Sequence, residues 1–179
     1  MVTVIASLGS GIFPETILIQ GSIESANGGS LLSSKYNNFF GIKAGSDWKG
    51  PTVNLKTGEV FSGKKVTITS AFRVYSSYYA SVRGLIKFLK RYDRYNNVFK
   101  AQDPEQQFRY LQLAGYATAP DYANVLISQY RAYKDVLNSS VGLDKALVYS
   151  GLIGGSVAAF TVFKPDLQKA ASDFQKKYL

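Results

Sequence analysis

The sequence predicts an α+β fold that is mostly helical and carries one β-hairpin. Two observations lead there. Helix-start signals and helically spaced apolar residues recur along the chain, while residues 53 to 74 instead alternate in parity about a glycine-containing turn. A chain of 179 residues with 46% hydrophobic content can bury one sizeable core. The reading is one domain over residues 1–137 and a smaller helical appendage over 138–179.

The first element is "PETILIQGSIES", residues 14 to 25. Pro14 and Glu15 suit a first helical turn, and Ile17, Leu18, Ile19 and Ile23 supply the apolar residues, so a helix is expected. Glu24 falls in its last turn, a lone acid ahead of the glycine-rich "SANGGS". In "VNLKTGEVFSGKKVTITSAFRV", Val53, Leu55, Thr57, Glu59 and Phe61 share one parity. Val66, Ile68, Phe72 and Val74 share the register of the return strand, and "SGK" makes the turn. Glu59 therefore points to the side of Leu55 and Phe61, away from Lys56, either on the apolar face or leaning from an edge into water.

Three helices follow. Val82, Leu85, Ile86 and Leu89 stand at helical spacing behind a serine cap in residues 76 to 91. A second helix starts near Asp103 and stops at Gly115, and a third, residues 119 to 137, opens on Pro and Asp. Beyond it, residues 146 to 163 form an uncharged run between Lys145 and Lys164. Its length reaches the lower limit for a membrane span, and a helix buried against the domain is the other reading. The tail places Leu167, Ala170, Ala171, Phe174 and Tyr178 on one stripe, an amphipathic helix.

Composition narrows the chemistry. The chain has no Cys and no His, which excludes a cysteine nucleophile, a Ser-His-Asp triad and a Cys/His zinc site. Acid–base work near neutral pH then falls to carboxylates, Tyr or Lys with shifted pKa values. The net charge of +9 points to a polyanionic partner, an anionic cell-wall polymer or membrane surface. Nucleic acid is disfavoured, because the basic residues are spread out with no arginine-rich arm or helix-turn-helix. The N-terminus "MVTVIASLGSGIF" lacks the basic region of a standard secretory signal, so a target outside the cytoplasm calls for another delivery route.

The order of parts carries a resemblance. Glu24, Ser25, Gly28 and Ser30 match a helix ending in Glu-Ser before a Gly turn and Ser. Residues 37 to 43, "NNFFGIK", match "NNLFGIK". Thr57 and Glu59 match a hairpin "T-x-E", and Phe72, Arg73, Tyr75 and Ser77 match "F-R-x-Y-x-S". Ala114 to Thr118, Pro120, Tyr122 and Ala123 match "AGYAT-x-P-x-YA". From about residue 15 to residue 130 the chain thus resembles the N-acetylglucosaminidases of glycoside hydrolase family 73, peptidoglycan-cleaving enzymes with a lysozyme-like fold. Asn27 departs from the pattern, standing where the family usually has Trp.

The resemblance implies the roles. The hairpin forms a lobe over a substrate cleft, Glu24 is the general acid for a β-1,4 glycosidic bond, and no metal or cofactor takes part. Ile23 and Phe39 would form a semi-apolar wall that keeps the Glu24 carboxyl neutral. Glu59 acts as base for a water or stabilises the cationic transition state, unless the substrate's acetamido group serves as internal nucleophile. Tyr122 holds or polarises the acetamido group or water, and Asn38, Phe39, Tyr75 and Tyr116 complete the substrate-binding set. Asn37 and Asn38 could instead cap a turn, both tyrosines of the "AGYATAPDY" stretch could be core, and only one of Phe39 and Phe40 can face a cleft. Lys43 and Arg73 either meet the stem-peptide carboxylates or are solvated surface charges. The partner implied is the peptidoglycan glycan strand, reached by a phage-type lytic enzyme or one tethered through residues 146 to 163. A muramidase acting on the other glycosidic bond, or a catalytically silent wall-binding or assembly module on the same scaffold, stays open.

Overall fold

The computed structural model describes residues 6–61 and 64–139, with side chains placed except at 59–65 and 135–139. The C-terminal appendage from residue 140 on, with the uncharged run and the amphipathic tail, lies outside the described residues. Among those described, no helix is long and apolar enough to cross a membrane.

The core is built around helix α1, Pro14–Glu24. Thr16, Ile17, Leu18, Ile19, Gln20, Gly21 and Ile23 are all buried, so the helix is enclosed on nearly every side. A helix buried on nearly every side lies inside a domain. Helix α2, Leu31–Tyr36, follows the reversal after α1, capped by the Ser30 side chain, which accepts from the Ser33 amide. Strands β1, Thr52–Phe61, and β2, Lys64–Arg73, form the hairpin. Helix α3, Tyr78–Arg91, buries Val82, Leu85, Ile86 and Leu89 and is capped by Ser77, as the spacing predicts. A 3₁₀ helix spans Asp93–Lys100 and buries Tyr95 and Val98. Helix α4, Pro104–Leu113, takes Asp103 as its cap, and helix α5, Tyr122–Ser139, closes the described chain. Packing of α4 and α5 on α1 brings the end of α1 against the start of α5.

The hairpin register pairs Val53 with Phe72, Leu55 with Ser70, Thr57 with Ile68 and Glu59 with Val66, so the parity read from sequence holds. Phe61 pairs with Lys64, which corrects one detail: Lys64 belongs to β2 rather than to the turn. Among the described residues the hairpin is anchored at its foot. Phe72 and Arg73 are buried, whereas Val66, towards the far end, is exposed. The foot also binds residues 42 to 44, through the Arg73 amide to the Ile42 carbonyl at 3.0 Å and the Ala44 amide to the Ala71 carbonyl at 2.8 Å.

Helix α5 begins at Tyr122, later than the predicted residue 119. The Gln112 side chain explains the delay: it donates to the Pro120 carbonyl at 2.8 Å and accepts from the Ala123 amide at 2.6 Å. That clasp holds residues 119 to 121 as an entry turn.

Candidate active site

Glu24 is the last residue of α1, and the chain beyond it reverses at once. Buried Ser25 makes the clasp. Its hydroxyl donates to the Gly21 carbonyl at 2.6 Å and accepts from the Gly28 amide at 2.7 Å. Ala26, Asn27 and Gly28 then take φ of 51°, 57° and 82°, three left-handed residues in a row. Asn tolerates this region far better than a bulky side chain does. Its side chain also meets Ser22 through Oδ1. Asn27 therefore suits the backbone at the position where the family pattern has Trp.

The Glu24 carboxyl faces the start of α5. Tyr122 is fully buried and its hydroxyl donates to Glu24 Oε1 at 2.8 Å. The same hydroxyl accepts from Gln20 Nε2 at 3.2 Å. Glu24 as a residue keeps part of its surface accessible, while its carboxyl is surrounded by protein. That desolvation disfavours the charged form and pushes the Glu24 carboxyl up to about 7, against the opposing pull of the Tyr122 hydrogen bond. Tyr122 itself is driven well above the ordinary tyrosine range by burial and then by the Glu24 charge, so its phenol stays protonated.

Tyr116 joins the cluster. It follows Gly115, whose φ of 70° turns the chain out of α4. Its ring stacks on that of Tyr122, with centroids 6.0 Å apart at 16°, and its hydroxyl donates to the Phe40 carbonyl at 3.1 Å. This bond ties the "AGYAT" turn to the "NNFFG" segment. Burial, then the Glu24 charge, also raises Tyr116 well above its ordinary value. Phe40 is the core member of the pair, packing on Gly21, where an added Cβ would come within 3.2 Å of its ring. Phe39 is only half-buried, edge-on to Tyr78 at 4.9 Å and beside Gly28, with its amide held by the Ser81 hydroxyl at 3.2 Å.

Two of the expected substrate-binding residues sit in the frame. Asn38 is buried, and its amide donates to the carbonyls of Ile42 at 3.0 Å and Arg73 at 2.8 Å while accepting from the Ile42 amide at 3.0 Å. Those three bonds use the side chain on the chain itself, so the geometry gives it the turn-holding role rather than contact with a sugar. Tyr75 is buried at the hairpin foot, edge-on to Trp48 at 5.4 Å and pressed on Gly84, where a Cβ would lie 2.5 Å from its ring. Burial raises its phenol, with the Arg73 charge opposing.

Arg73 is not a solvated surface charge. It is buried, donates to the Lys43 carbonyl at 3.1 Å, pairs with Asp47 at 3.1 Å and lies over the Trp48 ring at 4.9 Å. Arg91 reaches the same Asp47 at 3.3 Å. Lys43 is exposed. Glu59 lies in β1 opposite Val66, and its side chain is outside the described part of the structure. Sequence reasoning missed Gln20 and Asp47. Gln20 carried one signal, a neutral amide one turn before the acid, next to the apolar Ile17, Leu18 and Ile19.

With this geometry in place, the family assignment follows from comparison. The model of the family described as glucosaminidase, mannosyl-glycoprotein endo-beta-N-acetylglucosaminidase, matches residues 4–135. The chain belongs to the glucosaminidase family. It is 36% identical over 136 residues to the peptidoglycan hydrolase FlgJ of Escherichia coli K12, covering 74% of this chain and 44% of that protein. To the exo-glucosaminidase LytG of Bacillus subtilis it is 34% identical over 127 residues, 68% of this chain and 44% of LytG. It thus spans less than half the length of these curated relatives. The glycoside hydrolase domain of Salmonella typhimurium FlgJ, C-terminally truncated, superposes with a TM-score of 0.61 at 36% identity, covering 75% of this chain and 91% of that one. The glucosaminidase fold expected from the motifs, helices with one antiparallel hairpin in the lysozyme-like manner, is therefore the fold of this chain.

Proposed function

We propose that this chain is a peptidoglycan hydrolase that cleaves a β-1,4 glycosidic bond of the glycan strand as an endo-β-N-acetylglucosaminidase, with Glu24 as general acid. The observation that carries the reading is a desolvated carboxyl at the end of α1, its proton held up to about pH 7, with a protonated phenol bonded to it. An acid that keeps its proton near neutrality can give it to a leaving oxygen.

Glu24 Oε–H passes its proton to the glycosidic oxygen as the bond from that oxygen to C1 breaks and positive charge spreads over the ring. Water then adds to C1 and loses a proton, and the glycan is cut with one water consumed. Glu59, on the hairpin, is proposed as base for that water or as an anion facing the cationic ring, unless the substrate's own acetamido group attacks C1 first. As Glu24 becomes anionic, the Tyr122 hydrogen bond to it strengthens, because charge-assisted bonds are about twice as strong as neutral ones. Tyr122 thus favours the charge state formed at the transition state. Tyr116 and Phe39, both partly accessible and next to this cluster, are the residues proposed to meet the sugar. The bacterial cell wall is the proposed place of action, with the net charge of +9 drawing the chain to an anionic polymer.

Zymography on peptidoglycan tests the reading. Wild type is expected to clear the gel and Glu24→Gln to lose at least about a hundredfold, the scale of a general acid. Clearing by both ends the assignment of Glu24, and clearing by neither leaves a wall-binding module on the same scaffold. Reducing-end analysis of the digest is expected to show N-acetylglucosamine; N-acetylmuramic acid there would make the enzyme a muramidase.

A further inference from the structure

Gln20 stands one turn before Glu24 on α1 and is 1% exposed. Burying an amide in an apolar helix is costly unless its groups are bonded. Its Nε2 is bonded, to the Tyr122 hydroxyl at 3.2 Å, while its Oε1 is buried with no hydrogen-bond partner among the described residues. A methionine or leucine would fill this space without that unmet oxygen, which costs about 1–3 kcal/mol. The amide is thus poorly explained as packing and well explained by its donor.

A phenol carries one hydrogen and two lone pairs. Tyr122 has Gln20 on one side and Glu24 on the other, and its hydrogen can go to only one. Because Gln20 presents N–H, it occupies a lone pair and leaves the hydrogen to Glu24 Oε1. We propose that Gln20 is a positioning residue for the acid: it sets the sense of the Tyr122–Glu24 hydrogen bond, holding the phenol as donor to the carboxyl. Accepting from Gln20 also polarises the phenol O–H and makes it a better donor, by the cooperativity of linked hydrogen bonds. Two titratable groups that face the Glu24 carboxyl are phenols, Tyr122 from α5 and Tyr116 from the turn before it, both held neutral by burial. The proposal rests on Glu24 being the acid only for its catalytic meaning; the geometry it asserts is testable without turnover.

The test is a 13C NMR titration of the Glu24 side-chain carboxyl in wild type, Gln20→Met, Tyr122→Phe and the double variant. Losing the Gln20 donor weakens the stabilisation of the carboxylate, so Gln20→Met is expected to titrate higher than wild type by about half a pH unit. Tyr122→Phe is expected to titrate higher still, and the double variant to match Tyr122→Phe, since Gln20 acts through the phenol. The basic limb of kcat/KM should move with the carboxyl in Gln20→Met, with little change in KM. An unmoved carboxyl in Gln20→Met, or the same shift again in the Tyr122→Phe background, overturns the proposal. Should Gln20→Met not fold, wild type still decides: a slowly exchanging Tyr122 hydroxyl proton with an NOE to the Gln20 amide protons supports it, and a freely exchanging hydroxyl overturns it. If Glu24→Gln keeps its activity the acid assignment fails, while the titration still reports on Gln20.

Discussion

Burying an ionisable carboxyl at the end of α1 makes folding stability depend on pH. Glu24 releases its proton near pH 7 in the folded chain and near the ordinary 4.5 when exposed. Between those values the folded state holds a proton that the unfolded state has lost, so stability falls as pH rises through that window. The contribution is fully present below about pH 4.5 and gone above about pH 7, and it amounts to at most about 3 kcal/mol. Glu24→Gln keeps an acceptor for Tyr122 and removes the charge. It should therefore melt higher than wild type at about pH 8 and nearly level with it at about pH 4, while activity is lost. Thermal melts at both pH values check this, and an equal shift at the two would contradict a buried, raised carboxyl. Single residues were unevenly legible in the sequence. Glu24 and Tyr122 lie in motifs with fixed spacing, so they could be named before any contact was known. Gln20 could not, since its partner is 102 residues away and only the packing of α5 on α1 brings them together. Arg73 shows the same limit from the other side: its charge was visible, but not the Asp47 that draws it inward.

At the scale of elements, the frame around the acid is held by side chains that bond backbone. Asn38 joins the turn at 38 to 42 to the foot of β2, with three hydrogen bonds to the backbone of Ile42 and Arg73. Removing it takes the acceptor from the Ile42 amide and one donor each from the Ile42 and Arg73 carbonyls, of which the Ile42 carbonyl keeps the Arg73 amide. A buried group left unmet costs about 1–3 kcal/mol. Asn38→Ala is expected to lose about 2–4 kcal/mol of stability. Its folded fraction should keep a KM close to that of wild type, because the side chain makes turn contacts. Denaturant titration together with kinetics decides the point, and a raised KM at unchanged stability would return Asn38 to the substrate. The long elements were legible because their periods are long enough to read. Helix α3 shows its stripe over Val82, Leu85, Ile86 and Leu89, and the hairpin its parity from Val53 to Phe72. Helix α2 and the 3₁₀ helix were not foreseen. Leu31–Tyr36 is under two turns long, and Asp93–Lys100 follows a tighter repeat with few apolar positions, so neither sets up a stripe.

At the scale of the whole molecule, the two carboxyls proposed for the chemistry stand on different parts of the fold. Glu24, Gln20, Tyr122 and Tyr116 sit where α1, α5 and the turn before α5 meet the core. Glu59 belongs to the far half of a hairpin in which, among the described residues, Phe72 and Arg73 at the foot are buried. Glu24 is thus positioned by packing, whereas Glu59 lies in a two-stranded hairpin. Charge acts at a longer range than either. A chain of net charge +9 meeting an anionic wall gains encounter rate from attraction that salt screens, with a Debye length of about 10 Å at 0.1 M and about 3 Å at 1 M. The desolvated carboxyl is screened less than the exposed charges, as partly buried groups are. Raising salt from about 0.05 M to 0.5 M should therefore lower kcat/KM on intact sacculi several-fold. On a short, uncharged chitin-type oligosaccharide the same change should leave kcat/KM nearly constant, and the basic limb of its pH profile should not move. Equal salt sensitivity on both substrates would place the effect in the chemical step and remove the electrostatic account of wall attraction.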